Sequence, residues 1–143
     1  MPRRWVILLI LVCIALNGAG FIFKIFEPIP LYDEIAHFLT PFVLVAVVAE
    51  IIYRGGGDDE FFDTPRHAIV TGAVIGLLGA GGWEGIEVVL SAMGVAIANT
   101  LPDSIFDVVL GVLGGAAGAY VADHFLDRLF GRSRTDSNRP RVR

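Results

Sequence analysis

Four long runs of apolar residues, separated by short polar segments, constrain this chain more than any other feature. The runs begin near residues 5, 33, 66 and 103. Each is close to the ~20 residues that a helix needs to cross the apolar core of a bilayer. Only 18% of the 143 residues are charged and the mean hydropathy is +0.68, whereas a soluble domain carries about a quarter charged residues. The sequence therefore predicts an all-α integral membrane protein, a bundle of four transmembrane helices.

The residues that flank these runs indicate where the helices begin and end. The predicted helices span approximately residues 5–26, 33–54, 66–94 and 103–130. They form a transmembrane domain over residues 1–132, and a basic tail follows over residues 133–143. Thr64-Pro65 is typical of a helix start, and Asp103 or Ser104 is expected to cap the fourth helix. Pro41 lies inside the second helix, where it removes a backbone hydrogen bond and predicts a kink.

The first run has a competing interpretation as a secretory signal peptide. Arg3-Arg4 resembles the charged start of such a peptide, and Gly18-Ala19-Gly20 resembles a cleavage site. Apolar sequence continues to Phe26, however, so we expect the run to remain as a membrane helix. Cys13 is the one cysteine and lies inside this run. We expect it to pack against neighbours, with neither a disulfide nor a thiolate metal site.

The basic residues predict the orientation of the protein in the bilayer. Arginines accumulate before the first helix, around the second loop and in the tail, whereas the other two loops carry only Lys24. Lys and Arg are enriched on the cytoplasmic side. We therefore expect both termini in the cytoplasm, with residues 28–34 and 94–103 outside the plasma membrane. The net charge of −4 excludes a strongly basic nucleic-acid-binding protein, so the lipid bilayer is the predicted partner.

Glycines recur in the third and fourth helices at spacings that place them on one face. Gly72 and Gly76, and then Gly81 and Gly85, are pairs four residues apart. In the fourth helix, Asp107 shares its face with a row of glycines, which comprises Gly111, Gly114 and Gly118. Small residues at this spacing let membrane helices approach closely. We therefore expect Gly-rich helix packing, with Asp107 turned toward the interior of the bundle.

Ionisable side chains are rare within the four runs, and each one is costly inside a membrane. Six of them form three pairs at helical spacing, Asp33 with His37, Glu84 with Glu87 and Asp103 with Asp107. With the predicted orientation, all three pairs lie at the outer end of their helices. We therefore expect the second, third and fourth helices to form one outward-facing pocket, with Tyr32 and Trp83 beside it.

Carboxylate and imidazole ligands of this kind suit Zn, Mn, Fe, Mg or Ca. Metal sites inside helix bundles are built from such side chains on facing helices, and without a cation several close carboxylates could not all be ionised. We predict a divalent metal ion whose candidate ligands are Asp33, His37, Glu84, Glu87, Asp103 and Asp107. The metal would activate water for hydrolysis of a lipid-linked or envelope substrate, with Glu84 or Glu87 as general base.

Three alternatives stay open at this point. Asp33 and Asp103 stand at helix starts, where carboxylates cap backbone amides. The whole set is also compatible with a structural network that holds the helices together. A third hypothesis is a cation or proton relay in a transporter, which would require a homo-oligomer because four helices are few for alternating access. Glu50, near the opposite end of the second helix, distinguishes a transporter from an enzyme. Glu50→Gln would impair a transporter and leave a surface enzyme nearly unchanged.

Three motifs carry a family resemblance. They are Tyr32-Asp33-Glu34-Ile35-Ala36-His37-Phe38, Gly82-Trp83-Glu84-Gly85-Ile86-Glu87, and Asp103-Ser104-Ile105-Phe106-Asp107 continued to Gly114. Over about residues 32–118 the sequence resembles the YjdF-like family of bacterial and archaeal polytopic membrane proteins and, more distantly, the VanZ-like proteins. The resemblance implies a membrane protein and points to the same six candidate ligands. It implies no particular reaction, so whether the protein is an enzyme stays open.

Overall fold

The computed structural model describes residues 3–26, 29–54, 64–94 and 100–122, and the regular structure within these residues is entirely helical. Four helices follow one another, α1 (Arg3–Phe23), α2 (Tyr32–Arg54), α3 (Pro65–Ala92) and α4 (Leu101–Val121). The prediction of four helices is confirmed. Every helix start, and the ends of α1, α2 and α3, lie within three residues of the predicted positions. The predicted C-terminal part of the fourth helix and the basic tail fall outside the described residues.

Threonine residues cap the last two helices. The Thr64 side chain accepts a hydrogen bond from the backbone N–H of His67, with Pro65 in the first turn of α3, as predicted. The expectation that Asp103 or Ser104 caps α4 is wrong. Thr100 is the N-cap, and its side chain accepts from the backbone N–H of Asp103 at 3.4 Å. The following proline is favoured in the first turn, where its missing N–H costs no hydrogen bond, so α4 begins two residues earlier than predicted.

The first helix ends at Phe23, three residues before the predicted end. Lys24 adopts a left-handed backbone conformation with φ of 53°, and a residue in that conformation commonly terminates a helix. Phe26 then turns back, so that its ring lies over Gly20. The same ring packs edge-on against Phe21 and Tyr32, with centroid separations of 5.3 and 5.6 Å.

Three of the helices are long and apolar enough to cross a membrane, over Tyr32–Ala49, Pro65–Ala92 and Leu101–Val121. The remaining helix, α1, contains a shorter apolar stretch, Ile7–Phe23. Large apolar side chains cover the outside of these helices, as Leu78 illustrates with 70% exposure. Soluble proteins rarely expose apolar surface of this extent, whereas lipid is the natural neighbour of such a surface.

The most extensive contacts in the molecule are made by α4, which packs along α3 on one side and along α2 on the other, while α1 lies against α2. On the α3 side the two backbones touch. A methyl group added at Gly72 would meet the carbonyl oxygen of Gly115, and one added at Gly111 would meet the side chain of Ala80. The close contact predicted for Gly72 and Gly76 is therefore confirmed.

The α2 side of α4 is equally close, since Gly114 and Gly118 meet the backbone carbonyl oxygens of Phe38 and Phe42. Within the described residues, the same prediction is wrong for Gly81 and Gly85. An added methyl group at either position would meet no atom within 4 Å. Each follows a residue of the packed row, Ala80 or Glu84, and is therefore turned about 100° away from it around the helix axis. Spacing alone cannot tell their side of the helix from the packed one, because the two glycine pairs have the same period.

Candidate metal-binding site

Two carboxylates and one imidazole meet at the end of the bundle where α2 and α4 begin. Asp33 and His37 lie one turn apart at the start of α2, and Asp107 lies in the second turn of α4. One candidate ligand atom from each residue lies within 4.8 Å of the other two. We call this group the Asp33–His37–Asp107 cluster.

The imidazole occupies the middle of the cluster. His37 Nε2 is 3.4 Å from Asp33 Oδ1 and 3.9 Å from Asp107 Oδ2. Ligand atoms about 2.1 Å from a tetrahedrally coordinated ion lie about 3.4 Å from one another. The two pairs that include His37 are therefore near the spacing that one shared ion requires. The ligand atoms of Asp33 and Asp107 lie within 4.8 Å of each other.

Exposure decreases steadily across the cluster. The exposed fraction of the side chain is 35% for Asp33, 13% for His37 and 3% for Asp107. The cluster is therefore most open at Asp33, next to the end of the bundle, and most enclosed at Asp107. A carboxylate enclosed among membrane helices is costly unless a cation or a proton compensates its charge. Asp107 is thus the residue that most needs a partner of positive charge.

The third helix brings one more carboxylate to this end of the bundle. Glu84 is only 7% exposed, and it continues the buried row that includes Gly72, Gly76 and Ala80. A negative charge on Glu84 would act on both His37 and Asp107. Glu84 lies outside the group of ligand atoms that converge within 4.8 Å, so a role for α3 in a metal site stays a prediction.

Glu87 and Asp103, the two other predicted ligands, lie outside the cluster. Glu87 accepts a hydrogen bond from Trp83 Nε1 at 2.8 Å in an exposed setting. Asp103 is exposed in the first turn of α4, one turn before Asp107. Each is close to the site along its own helix, but neither contributes to the group of ligand atoms that converge within 4.8 Å.

Two side-chain hydrogen bonds also join α1 to the part of α2 that carries the cluster. Asn17 donates hydrogen bonds through Nδ2 to Thr40 Oγ1 and to the carbonyl oxygen of Cys13, both at 2.9 Å. The Tyr32 hydroxyl donates to the carbonyl oxygen of Leu16 at 2.6 Å. A lone asparagine in an apolar run is a signal that it bonds to a neighbouring helix, although the sequence does not say to which one.

A family model described as "Predicted membrane protein (DUF2238)" matches residues 2–128, which include all four helices and the whole cluster. No curated protein and no solved structure matches the chain. The match agrees with the apolar, multi-pass architecture described above. The chain therefore belongs to the DUF2238 family of predicted membrane proteins.

Proposed function

We propose that this membrane protein binds a divalent metal ion at the Asp33–His37–Asp107 cluster. The observation that carries the proposal is the convergence of three ligand atoms from two helices within 4.8 Å. Both helices are among those long and apolar enough to cross a membrane, where ionisable groups are rare and usually serve a function. An ion of charge +2 would balance the two aspartates. The mixture of carboxylate and imidazole ligands favours Zn or Mn, with Fe, Mg and Ca as further candidates.

Three protein ligands would leave room for water or a substrate atom, as in catalytic zinc sites. Glu84 is the best placed of the remaining residues, because it is buried and a negative charge on it would act on His37 and Asp107. It would complete the ligand set or accept a proton from a metal-bound water. Glu87 and Asp103 would have secondary roles. The reaction we propose is hydrolysis of a lipid-linked or envelope substrate, in which the metal activates the water.

The packing beyond the cluster favours a binding site over a transport path. One turn past Asp107, Gly111 contacts Ala80 of α3, and two turns past it Gly114 contacts the carbonyl oxygen of Phe38 on α2. Three backbones are thus in close contact at this level. A relay between the cluster and the position of Glu50 would have to pass through these contacts. Proton sharing between His37 and the carboxylates of Asp33 and Asp107 needs no such path. A metal titration distinguishes proton sharing from metal binding.

We further propose that the cluster faces the outside of the plasma membrane, with both termini in the cytoplasm. The distribution of arginines supports this orientation. Tyr32 and Trp83 are at the same end as the cluster, and such residues are enriched where membrane meets water. The likeness of the three motifs to the YjdF-like family belongs to the same proposal, because those motifs contain every residue of the cluster.

The proposal is tested by adding metal to protein from which a chelator has removed it. Zn²⁺ or Mn²⁺ at 100 times its Kd should stabilise the wild-type protein by about 2.7 kcal/mol, measured by thermal unfolding in detergent. His37→Ala should remove this stabilisation. His67→Ala is the matched control, since His67 is exposed at the start of α3, and it should respond like the wild type. If neither ion stabilises the wild-type protein, proton sharing or a structural network replaces the metal in our account.

A further inference from the structure

The part of α2 that carries Asp33 and His37 is attached to α1 at both of its ends. The Tyr32 hydroxyl bonds to the carbonyl oxygen of Leu16, before Asp33. Thr40 Oγ1 accepts a hydrogen bond from Asn17 Nδ2, three residues after His37. Thr40 lies on the same face of the helix as Asp33 and His37, because residues three and seven positions apart share a face. The two hydrogen bonds therefore bracket the metal-binding segment, residues 32–40.

Pro41 weakens the backbone at the end of this segment. It has no N–H, so the carbonyl oxygen of His37 cannot receive the hydrogen bond that residue 41 normally donates in a helix. The proline ring also crowds that same carbonyl group. Bending of a helix is concentrated at such positions. The segment of residues 32–40 is thus joined to the rest of α2 by its most easily bent part.

The opposite side of the site has no comparable freedom. Asp107 lies on α4, which is held against α3 by the contact between Gly111 and Ala80 and against α2, beyond Pro41, by the contact between Gly118 and Phe42. Gly114 of α4 also meets the carbonyl oxygen of Phe38, so this contact limits the tilt of residues 32–40 together with the hydrogen bonds to α1. The distance of 3.9 Å between His37 and Asp107 therefore depends on how residues 32–40 are tilted about Pro41. The two hydrogen bonds from this segment to α1 oppose such a tilt.

We propose that Asn17 is a positioning residue of the metal site. Together with Tyr32, it holds residues 32–40 of α2 in the orientation that brings Asp33 and His37 to Asp107. This inference rests on the proposed metal binding. It gives α1 an indirect role in metal binding, through its hydrogen bonds to α2, although no candidate ligand lies on α1. Because linkage is reciprocal, an ion at the cluster also strengthens the attachment of α1 to α2.

The test is a titration of the metal-free protein with Mn²⁺, in which electron paramagnetic resonance measures the free ion. Asn17→Ala should raise the Kd about tenfold, the lower end of the effect of losing a residue that orients a ligand. Tyr32→Phe removes only the hydroxyl and should raise the Kd in the same direction, which preserves the test if Asn17→Ala does not fold. Adding Pro41→Ala to Asn17→Ala restores the backbone donor and should recover most of the lost affinity.

Cys13→Ala is the matched control. Cys13 packs against Val43 and Val47 in the same interface between α1 and α2, but beyond Pro41. Its loss should lower the unfolding temperature and leave the Kd for Mn²⁺ unchanged. Equal shifts in Kd for Asn17→Ala and Cys13→Ala would overturn the positioning role, as would an unchanged Kd in Asn17→Ala. Failure of the wild-type protein to bind Mn²⁺ would instead overturn the proposed metal site itself.

Discussion

Asp103 and Asp107 stand four residues apart on α4, but only Asp107 is enclosed by neighbouring helices. The side chain of Asp107 is 3% exposed, whereas Asp103 belongs to the exposed first turn. The difference arises because α4 begins at Leu101, which leaves Asp103 at the end of the bundle and places Asp107 one turn deeper. The same type of residue thus has two environments, and the two positions make a natural pair for mutation.

Asp107→Asn should raise the Kd for Zn²⁺ at least about a hundredfold, because it removes a charged ligand that the structure places beside His37. The amide has almost the same shape, and in the metal-free protein it relieves the cost of an enclosed charge. The metal-free variant should therefore unfold at the same temperature as the metal-free wild type or at a higher one. Asp103→Asn should change the Kd much less. Equal effects of the two substitutions on the Kd would contradict this assignment.

Residue spacing could predict which ionisable groups share a helix face, and the cluster contains three of the six residues obtained in that way. Spacing could not separate Glu84 from Glu87, since the two are three residues apart on α3. Glu84 continues the row of small residues against α4, whereas Glu87 bonds to Trp83. That distinction depends on how the helices cross, which is a tertiary property. For the same reason, the sequence could not predict that Asn17 bonds to Thr40.

At the scale of helices, contacts between glycines set how closely α4 approaches its neighbours. Gly115 faces the backbone of α3 at Gly72 and Gly76, so a methyl group there would meet main-chain atoms, which cannot move aside independently. Gly81 is turned about 100° away from the packed Ala80, and a methyl group there would meet no atom within 4 Å. Helix periodicity could predict that glycines would form rows. It could not predict which row faces α4, because lipid and a neighbouring helix are both apolar.

Gly115→Ala should lower the free energy of unfolding by about 1–3 kcal/mol, the usual cost of inserting a methyl group into a tightly packed site. Gly81→Ala makes the same chemical change without a clash. It should stabilise α3 by up to about 1 kcal/mol through its better helix propensity. Denaturant-induced unfolding in detergent would measure both values. A loss of stability in Gly81→Ala similar to that in Gly115→Ala would show that the exposed side of α3 also packs against something.

Across the whole molecule, the antiparallel arrangement of α3 and α4 brings a buried glutamate beside the two aspartates and the histidine. The first residues of α2 and α4 lie at the cluster end of the bundle, and the start of α3 lies at the other end. The orientation of the protein in the membrane therefore decides which compartment reaches the cluster. Sequence could predict the number of helices well, since length and hydropathy determine it, and it offers the arginine distribution as its one indication of orientation.

Cysteine labelling would test that orientation. In a background without Cys13, Met93→Cys places a thiol at the exposed end of α3 nearest the cluster, and His67→Cys places one at its exposed start. An impermeant maleimide applied to intact cells should label Met93→Cys, and it should label His67→Cys only after the membrane is opened. The opposite pattern would place the cluster at the cytoplasmic face and exclude an extracellular substrate.

The most direct test of the account is the metal content of the purified protein. Wild type, His37→Ala and Glu84→Gln would be purified in detergent, dialysed against a weak chelator and subjected to elemental analysis. We predict near-stoichiometric divalent metal in the wild type, none in His37→Ala and a reduced amount in Glu84→Gln. Wild-type protein that holds no metal even after incubation with Zn²⁺ and Mn²⁺, or His37→Ala protein that holds as much as the wild type, would contradict metal binding at the Asp33–His37–Asp107 cluster.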